Sequence, residues 1–285
     1  MLKNPEDRVL DSALAAYQLH ARVTDNASYC GRWHEAEPAA EACIFHLIGS
    51  GSCRVSGAGL AAAESLAAGD LVIFPRGHAH RLDGDGFTTM LCGQFDFVCG
   101  HRNPLLDALP DCLIVREAEA GSALRRVAQL MCEEANLESF GSRAVVDKLA
   151  DSLFVMSVRS YLARTPQRRG LLAALADPQL GRALQAMHGE PGRDWSVASL
   201  AEVAAMSRSR FAEEFAQLMG QSPIQYLTQW RMMSALRLLQ EPRLSVLAIA
   251  GRLGYQTEAA FRRSFKRVHG QGPGHFRRLR ALPEM

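Results

Sequence analysis

The chain has 285 residues, a length typical of two domains, and its 48% hydrophobic and 22% charged content is ordinary for a globular protein. No apolar run approaches membrane-spanning length, and the first residues lack the core of a signal peptide, so we expect a cytoplasmic protein without a membrane partner. The net charge of +2 conceals an asymmetry, because residues 181–285 carry 15 Lys and Arg against 8 Asp and Glu, whereas residues 1–180 carry 17 against 22. A basic half beside an acidic half is typical of a nucleic-acid-binding module joined to a module with another task.

The N-terminal half begins with a predicted helix and continues as short strands. Residues 1–20 carry apolar side chains at helical spacing, whereas the β-prone runs that follow are separated by Gly-rich turns. These runs cover residues 42–48, 52–55, 70–74 and 88–98. Short strands at this spacing predict a small antiparallel barrel, and we place this domain at residues 1–119.

All 7 cysteines lie in this half, and they are Cys30, Cys43, Cys53, Cys92, Cys99, Cys112 and Cys132. No CxxC pair is present, so the sequence contains no ribbon-type or finger-type zinc module. In a reducing cytoplasm the cysteines are expected to be thiols, metal ligands or redox sensors rather than structural disulfides. Five of them have no partner at an informative spacing and are interpreted as packing residues: Cys43, Cys53, Cys99, Cys112 and Cys132.

From residue 120 the pattern changes to a helical period. Apolar residues recur at intervals of three and four over 123–135 and 145–162, which predicts a helical hairpin within residues 120–163. The apolar stripe of the second helix can pack on its own barrel or on a second copy of the chain, and we favour a homodimer. Residues 164–178 begin with a polar segment broken by Pro and Gly, and they are interpreted as an interdomain linker.

Residues 207–276 contain one pattern twice. Phe211, Phe215, Gly220, Pro223 and Tyr226 recur at identical spacing as Phe261, Phe265, Gly270, Pro273 and Phe276. Each copy starts at a hydroxyl residue suited to cap a helix, and each follows a shorter apolar helix. Two units of short helix, tight turn and longer helix predict a tandem helix-turn-helix domain over residues 179–285. The predicted fold class is α+β, with an antiparallel β-barrel and a helical hairpin before an all-α C-terminal domain.

The repeat resembles the AraC family of bacterial transcription regulators from about residue 183 to residue 278. The resemblance rests mainly on Leu200-Ala201, Met206-Ser207, Arg231, Leu238-Leu239, Ile249-Ala250, Gly254-Tyr255, Phe265-Lys266 and the repeated residues above. It implies a regulator, most simply an activator, whose partners are double-stranded promoter DNA and RNA polymerase, and it disfavours an enzyme. One departure is Gly272 before Pro273, where the family usually has Ser or Thr.

The resemblance also places the DNA contacts on the two longer helices of the repeat. By position in the family's helices these are Arg208, Ser209, Arg210, Ala212 and Glu213 in the first copy, and Glu258, Ala259, Arg262, Arg263 and Lys266 in the second. Arg can bond two acceptors of guanine, Glu can accept from cytosine, and Ala can contact a thymine methyl group, whereas Lys266 is expected to contact phosphate. The alternative for each residue is a solvated helix face.

Residues 69–80 resemble the second conserved motif of cupins, in which a strand enters a turn that aims a histidine into the barrel. The segment reads Gly69-Asp-Leu-Val-Ile-Phe-Pro75-Arg-Gly77-His-Ala-His80. The first cupin motif is degenerate, because Ile44-Phe45-His46 keeps one histidine but lacks the second histidine and the glutamate of metal-dependent cupin enzymes. The resemblance therefore implies a cupin-like sensor domain and argues against oxygenase or isomerase chemistry.

Further residues resemble a subgroup of the family that responds to reactive chlorine. They include Cys30-Gly-Arg-Trp33, Phe45-His46, Leu91-Cys92-Gly93 and the stretch from His188 to Trp195. This resemblance implies redox sensing at Cys30 and Cys92, where one thiol is oxidised and a second can resolve the product to a disulfide.

Four alternatives remain for the same domain. Both thiols can be small buried packing residues, and His46 a hydrogen-bonded core histidine. Cys30, His46, His80 and Cys92 also form a two-nitrogen, two-sulfur set that suits tetrahedral zinc if they converge. The barrel can also bind a small organic effector instead of sensing an oxidant. The least favoured alternative is that the protein is a metal-dependent cupin enzyme.

Overall fold

The computed structural model describes residues 19–97, 103–137, 139–165 and 170–280. The described residues form two compact units, one within 19–165 and one within 170–280. The predicted N-terminal helix and Cys99 lie outside the described residues. In the part of the chain that is described, no helix is long and apolar enough to cross a membrane.

The first unit contains two antiparallel sheets. Its strands are β1 (His20–Tyr29), β2 (Arg32–Glu37), β3 (Cys43–Ser50), β4 (Ser52–Gly57), β5 (Glu64–Ala67), β6 (Leu71–Phe74), β7 (His80–Asp85), β8 (Thr88–Asp96) and β9 (Leu113–Val115). One sheet has the order β1-β8-β3-β6-β9 and the other has the order β2-β7-β4-β5. The antiparallel strands are as predicted, but the pairings of the described residues give two separate sheets rather than one closed barrel.

The central strand β8 of the larger sheet packs against other elements on both faces. Alternate residues of β8 point to opposite sides, as in any strand. Met90 and Cys92 pack in the core shared with the smaller sheet, whereas Phe95 contacts Phe154 of the helical hairpin with ring centroids 4.8 Å apart. The space between the two sheets therefore holds the side chains of β3 and β8 that include His46 and Cys92.

The predicted helical hairpin belongs to the same unit as the sheets. A short helix α1 (Pro104–Asp107) and a 3₁₀ turn (Glu117–Glu119) precede α2 (Ser122–Ala135) and α3 (Ser142–Arg164). Two carboxylates of α3 accept hydrogen bonds from the outer edge of β1, namely Asp151 from the Ala21 N–H at 2.6 Å and Asp147 from the Val23 N–H at 2.9 Å. These bonds satisfy edge-strand donors that would otherwise be open to another chain.

The second unit is helical. Its helices are α4 (Leu171–Ala176), α5 (Leu180–Gly189), α6 (Val197–Ala204), α7 (Arg208–Met219), α8 (Pro223–Leu238), α9 (Val246–Arg252), α10 (Glu258–His269) and α11 (Pro273–Arg280). The two predicted helix-turn-helix units are α6 with α7 and α9 with α10. Helix α4 falls inside the predicted linker, so that part of residues 164–178 is ordered as a helix of the second unit.

The repeated residues end and anchor the helices as the sequence predicts. Ser207 and Thr257 cap α7 and α10 by accepting from the backbone N–H three residues later. Gly220 and Gly270 end the same helices with φ values of 69° and 77°, a left-handed conformation that favours glycine. The repeated Phe pairs are fully buried.

A buried histidine lies in the core of this unit. His188 stacks on Trp230 with ring centroids 3.5 Å apart, and its Nε2 lies 2.7 Å from the Tyr226 hydroxyl. Burial lowers the pKa of His188 to about 3. The neutral ring is therefore the form that the folded domain accommodates.

This histidine is expected to make stability fall in mild acid. Its folded pKa of about 3 lies below the unfolded value, so the unfolded chain binds the extra proton first. The contribution of neutral His188 to the free energy of unfolding is intact above about pH 6.5 and is lost progressively towards pH 3. Between pH 7 and pH 5 the free energy of unfolding is expected to fall by about 2 kcal/mol. Urea unfolding of the wild type and of His188→Phe at both pH values measures it. An equal pH dependence in the two proteins would contradict this assignment.

Candidate functional site

The candidate sensor site lies between the two sheets of the first unit. Strands β3 and β8 pair with His46 opposite Cys92. His80 begins β7 in the facing sheet, directly after the turn at Gly77, whose φ is +59°. A left-handed glycine is needed there, because a Cβ atom would collide with the carbonyl oxygens of Ala40 and Ala42. The turn thus aims His80 inwards, as the cupin motif predicts.

The three side chains form a linear chain of contacts. The Cys92 Sγ lies 3.2 Å from the His46 Nδ1, and the His46 Nε2 lies 2.7 Å from the His80 Nε2. The His80 Nδ1 lies 2.8 Å from the carbonyl oxygen of His78. Because that oxygen only accepts, we assign the proton of His80 to Nδ1, which makes its Nε2 an acceptor. His46 then donates from Nε2 and accepts the Cys92 S–H at Nδ1.

Burial keeps all three groups uncharged in this arrangement. It lowers the pKa of His46 to about 3, with the neighbouring His80 adding to the effect, and it lowers the pKa of His80. It also raises the pKa of the Cys92 thiol to about 12. Phe74 stacks on His80 with ring centroids 3.8 Å apart and fixes the plane of that ring. The resting site is therefore a neutral thiol hydrogen-bonded to a neutral imidazole.

Cys30 does not join this cluster. It is exposed, and it follows Tyr29, which pairs with Thr88 at the start of β8. Cys92 lies four positions beyond Thr88 along β8, which corresponds to about 13 Å. A disulfide requires Cα atoms within about 7 Å, so the two predicted redox cysteines cannot pair without movement of the backbone.

The predicted zinc set is consequently not assembled. His46 uses opposite ring nitrogens towards Cys92 and His80, so the three side chains do not surround a common point. In the described ranges, no group of three or more His, Cys, Asp or Glu side chains could hold a metal ion. As arranged, these residues do not fit zinc, and zinc binding stays a prediction that requires a different arrangement.

The other described cysteines divide into two groups. Cys43 and Cys53 are buried, while Cys112 and Cys132 are partly exposed. Burial raises the pKa of Cys53 and Cys132 to about 11 and that of Cys112 to about 12. Their thiols therefore stay protonated near neutral pH, and their interpretation as packing residues stays a prediction.

The candidate DNA interface lies on α7 and α10. Phe211 and Phe215 of α7 and their counterparts Phe261 and Phe265 of α10 point into the core. All ten predicted contact residues lie off these buried positions. Eight are exposed, and Ala212 and Glu258 are half-buried. These side chains are therefore accessible to solvent in this unit, and their contacts with DNA stay a prediction.

The two helices differ in charge. Helix α7 carries two Arg and two Glu, and its Arg210 bonds Glu214 at 2.7 Å. Helix α10 carries three Arg, one Lys and one Glu, and its Arg262 bonds Glu258 at 2.6 Å. Among the described residues, Arg263, Lys266 and Arg267 form no ion pair. These three exposed cations give α10 the stronger attraction for a phosphate backbone.

Comparisons with known proteins agree with both units. A family model described as "Cupin" matches residues 8–163, and one described as "Helix-turn-helix domain" matches residues 200–279. The chain is 31% identical to the HTH-type transcriptional regulator AlkR of Acinetobacter baylyi over 87% of this chain and 91% of AlkR. It is 29% identical to a putative AraC-like transcription regulator of Streptomyces lividans over 96% of this chain and 99% of the relative.

A third relative bears on the sensor site. The chain is 31% identical to the RCS-specific HTH-type transcriptional activator RclR of Escherichia coli over 76% of this chain and 78% of RclR. The tandem helix-turn-helix units and the match of the cupin model to more than half of the chain lead to one assignment. The chain belongs to the AraC family and is a DNA-binding transcriptional regulator with a cupin domain.

Proposed function

We propose that this regulator activates transcription in response to an oxidant of the reactive-chlorine type, and that Cys30 and Cys92 are its sensing residues. One observation carries the proposal: the Cys92 thiol lies 3.2 Å from a ring nitrogen of His46, inside a domain joined to a DNA-binding domain. A reversible thiol switch also requires a sulfur that an oxidant can reach, and Cys92 is only partly buried. The name of the relative RclR, an RCS-specific activator, supports this choice.

We propose that the active form is a homodimer that binds promoter DNA and recruits RNA polymerase. The helical hairpin supports this proposal, because Leu137, Phe140 and Val145 are large apolar residues exposed near the connection between α2 and α3. Exposed apolar side chains that lie close together are typical of protein–protein contacts. Size measurement by light scattering tests the dimer directly.

A small organic effector is the second candidate for the stimulus. A groove of about 780 Å³ lies between β3 and α2, and its lining includes Ile48, Arg125, Arg126, Gln129 and Cys132. This volume is within the usual range for small-molecule sites. The groove is separate from the Cys92 contact, so the two stimuli can be distinguished by mutation.

Hypochlorite is expected to change transcription from a cognate promoter in a purified system with wild-type protein. Cys92→Ser is expected to abolish this response, because the thiol beside His46 is removed. Cys30→Ser is expected to weaken it, and Cys132→Ser, a thiol in the groove, serves as the matched control. If hypochlorite has no effect on the wild type, the oxidant proposal fails. A ligand whose effect is lost in Arg126→Ala would then support the effector instead.

A further inference from the structure

We infer that Arg231 fixes the separation of α7 and α10, and that it thereby determines the spacing at which the domain binds two segments of DNA. The inference goes beyond the proposed function, because it concerns how DNA is bound and is independent of what the sensor unit detects. It rests on the prediction that α7 and α10 both contact DNA. Arg231 is a positioning residue, since it acts through the two helices rather than as one of the predicted DNA contacts.

Arg231 binds a loop of the DNA-binding unit to α8, the helix that joins the two helix-turn-helix units. Its Nε–H donates to the Pro191 carbonyl oxygen at 2.7 Å, and its Nη2 donates to the Arg193 carbonyl oxygen at 2.8 Å. Both acceptors lie in the loop between α5 and α6. Because the acceptors are peptide carbonyls, the bonds hold the backbone of this loop, and the planar guanidinium fixes their direction. Arg231 is half-buried, so both bonds are partly shielded from water.

The same loop packs against the turn between α9 and α10, in what we call the loop–turn contact. A Cβ atom at Gly192 would lie 2.2 Å from the Arg252 carbonyl oxygen, and one at Gly254 would lie 2.5 Å from the Gly192 carbonyl oxygen. Both distances are too short for any Cβ atom, so only glycine lets the two backbones approach this closely. Tyr255 of the same turn faces the Arg231 guanidinium, whose carbon lies 5.9 Å from the ring centre. Arg231 therefore contacts both sides of the loop–turn contact.

Each side of the loop–turn contact leads to one of the candidate DNA-contacting helices. On the loop side, the Trp195 Nε1–H donates to the Glu190 carbonyl oxygen at 2.9 Å, and Ser196 caps α6, which packs on α7. On the turn side, the Tyr255 ring contacts the buried Phe261 of α10 with ring centroids 5.6 Å apart. The loop–turn contact is thus a connection between the two units in addition to α8. A second connection restricts the rotation of one unit relative to the other.

A fixed separation of α7 and α10 restricts which DNA the domain can bind with both helices. Each base pair added between the two contacted segments moves the second segment by about 3.4 Å along the duplex and about 35° around it. Held by the loop–turn contact, α10 cannot follow this displacement while α7 stays in place. Loss of the Arg231 bonds allows the two units to adjust, but they then occupy the correct arrangement for a smaller fraction of the time.

The test compares the affinity of the full-length protein for two DNA duplexes. The first duplex is selected by the wild type from a random pool, and hydroxyl-radical footprinting locates the two segments that the protein protects. The second duplex carries one added base pair between these segments. The ratio of the two affinities, the spacing ratio, is expected to be about tenfold or more for the wild type and below about threefold for Arg231→Ala. The affinity of Arg231→Ala for the selected duplex is expected to fall about tenfold.

Two further variants make the test specific. Arg237→Ala removes an exposed arginine from the same helix and is expected to keep the wild-type spacing ratio. Gly192→Ala leaves Arg231 in place but forces the loop and the turn apart, so it is expected to lower the spacing ratio as Arg231→Ala does. Circular dichroism checks the fold of each variant before binding is measured. If Arg231→Ala does not fold, the spacing ratio of Gly192→Ala decides.

Three results would overturn the inference. A purely structural role of Arg231 would weaken binding to both duplexes equally and leave the spacing ratio of the folded Arg231→Ala variant unchanged. A wild-type spacing ratio close to one would show, without any variant, that the separation of the helices does not select the DNA. The inference is also wrong if Arg237→Ala lowers the spacing ratio as far as Arg231→Ala does. None of these measurements involves an oxidant, so the proposed function can fail while this inference stands.

Discussion

Phe265→Ala is expected to destabilise the DNA-binding unit by about 3–5 kcal/mol, the usual cost of removing a buried Phe side chain. Phe265 is fully buried, and its ring contacts Phe261, His269 and Phe276 at centroid distances of 5.7, 4.5 and 5.4 Å. Phe265 therefore packs α10 against α11, the helix that contains Phe276. Urea unfolding gives the free energy, and the affinity for promoter DNA is expected to fall with it.

Two further variants make this prediction specific. Phe265→Leu keeps most of the apolar volume and is expected to lose about 1 kcal/mol. Phe215→Ala, at the equivalent position of the first repeat, is expected to cost as much as Phe265→Ala, because Phe215 is equally buried. A loss below about 1 kcal/mol for both alanine variants would show that the repeated aromatics are not the anchors of the two helices.

The helical unit was predictable because its signals are local. Caps at Ser207 and Thr257, terminal glycines and buried aromatics four residues apart are all properties of short segments. The first two strands were not predicted, because β1 reads His-Ala-Arg-Val-Thr-Asp-Asn-Ala-Ser-Tyr and is mostly polar. It is held by pairing with β8 and by the carboxylates of α3, and these partners are distant in sequence.

Part of the sensor site was predictable because the cupin motif is also a short local segment. The sequence correctly placed His46, His80 and Cys92 on segments that meet, since the cupin turn determines where His80 points. The sequence did not predict that Cys30 lies apart from these three residues. Cys30 lies apart because the chain leaves the larger sheet after Tyr29 and enters the smaller sheet at Arg32. Strand register decides that separation, and register depends on pairing across the whole sheet. The role of the His78 carbonyl had no sequence signal.

Strand β1 also connects the sensor site to the helical hairpin. Its register shifts between Val23 and Asp25, opposite Cys92 and Gly93. Thr24, at this bulge, donates from its hydroxyl to the Cys92 carbonyl at 3.2 Å, while the neighbouring Val23 N–H donates to Asp147 of α3. A displacement of β8 at Cys92 therefore has a direct hydrogen-bonded connection to α3.

Replacing both Lys266 and Arg267 with Ala is expected to weaken DNA binding and to lower its salt dependence. These residues are exposed on α10 and form no ion pair in the described part of the chain. Each phosphate contact contributes about 1 to the magnitude of the slope of log affinity against log salt. The slope of the double variant is therefore expected to be smaller in magnitude by about 2. Fluorescence anisotropy between low and physiological salt, with cognate and unrelated DNA, measures the slope.

Matched variants separate phosphate attraction from base recognition. Arg263→Ala is expected to cost about 1–3 kcal/mol on cognate DNA but much less on unrelated DNA, if its guanidinium reads a base. Arg210→Ala on α7 is expected to have a smaller effect on the salt slope than either α10 residue, because its charge is already paired with Glu214. Equal slopes for α7 and α10 variants would contradict the electrostatic difference between the two helices. In that case, the excess charge of α10 faces away from the DNA, and affinity depends on contacts shared by both repeats.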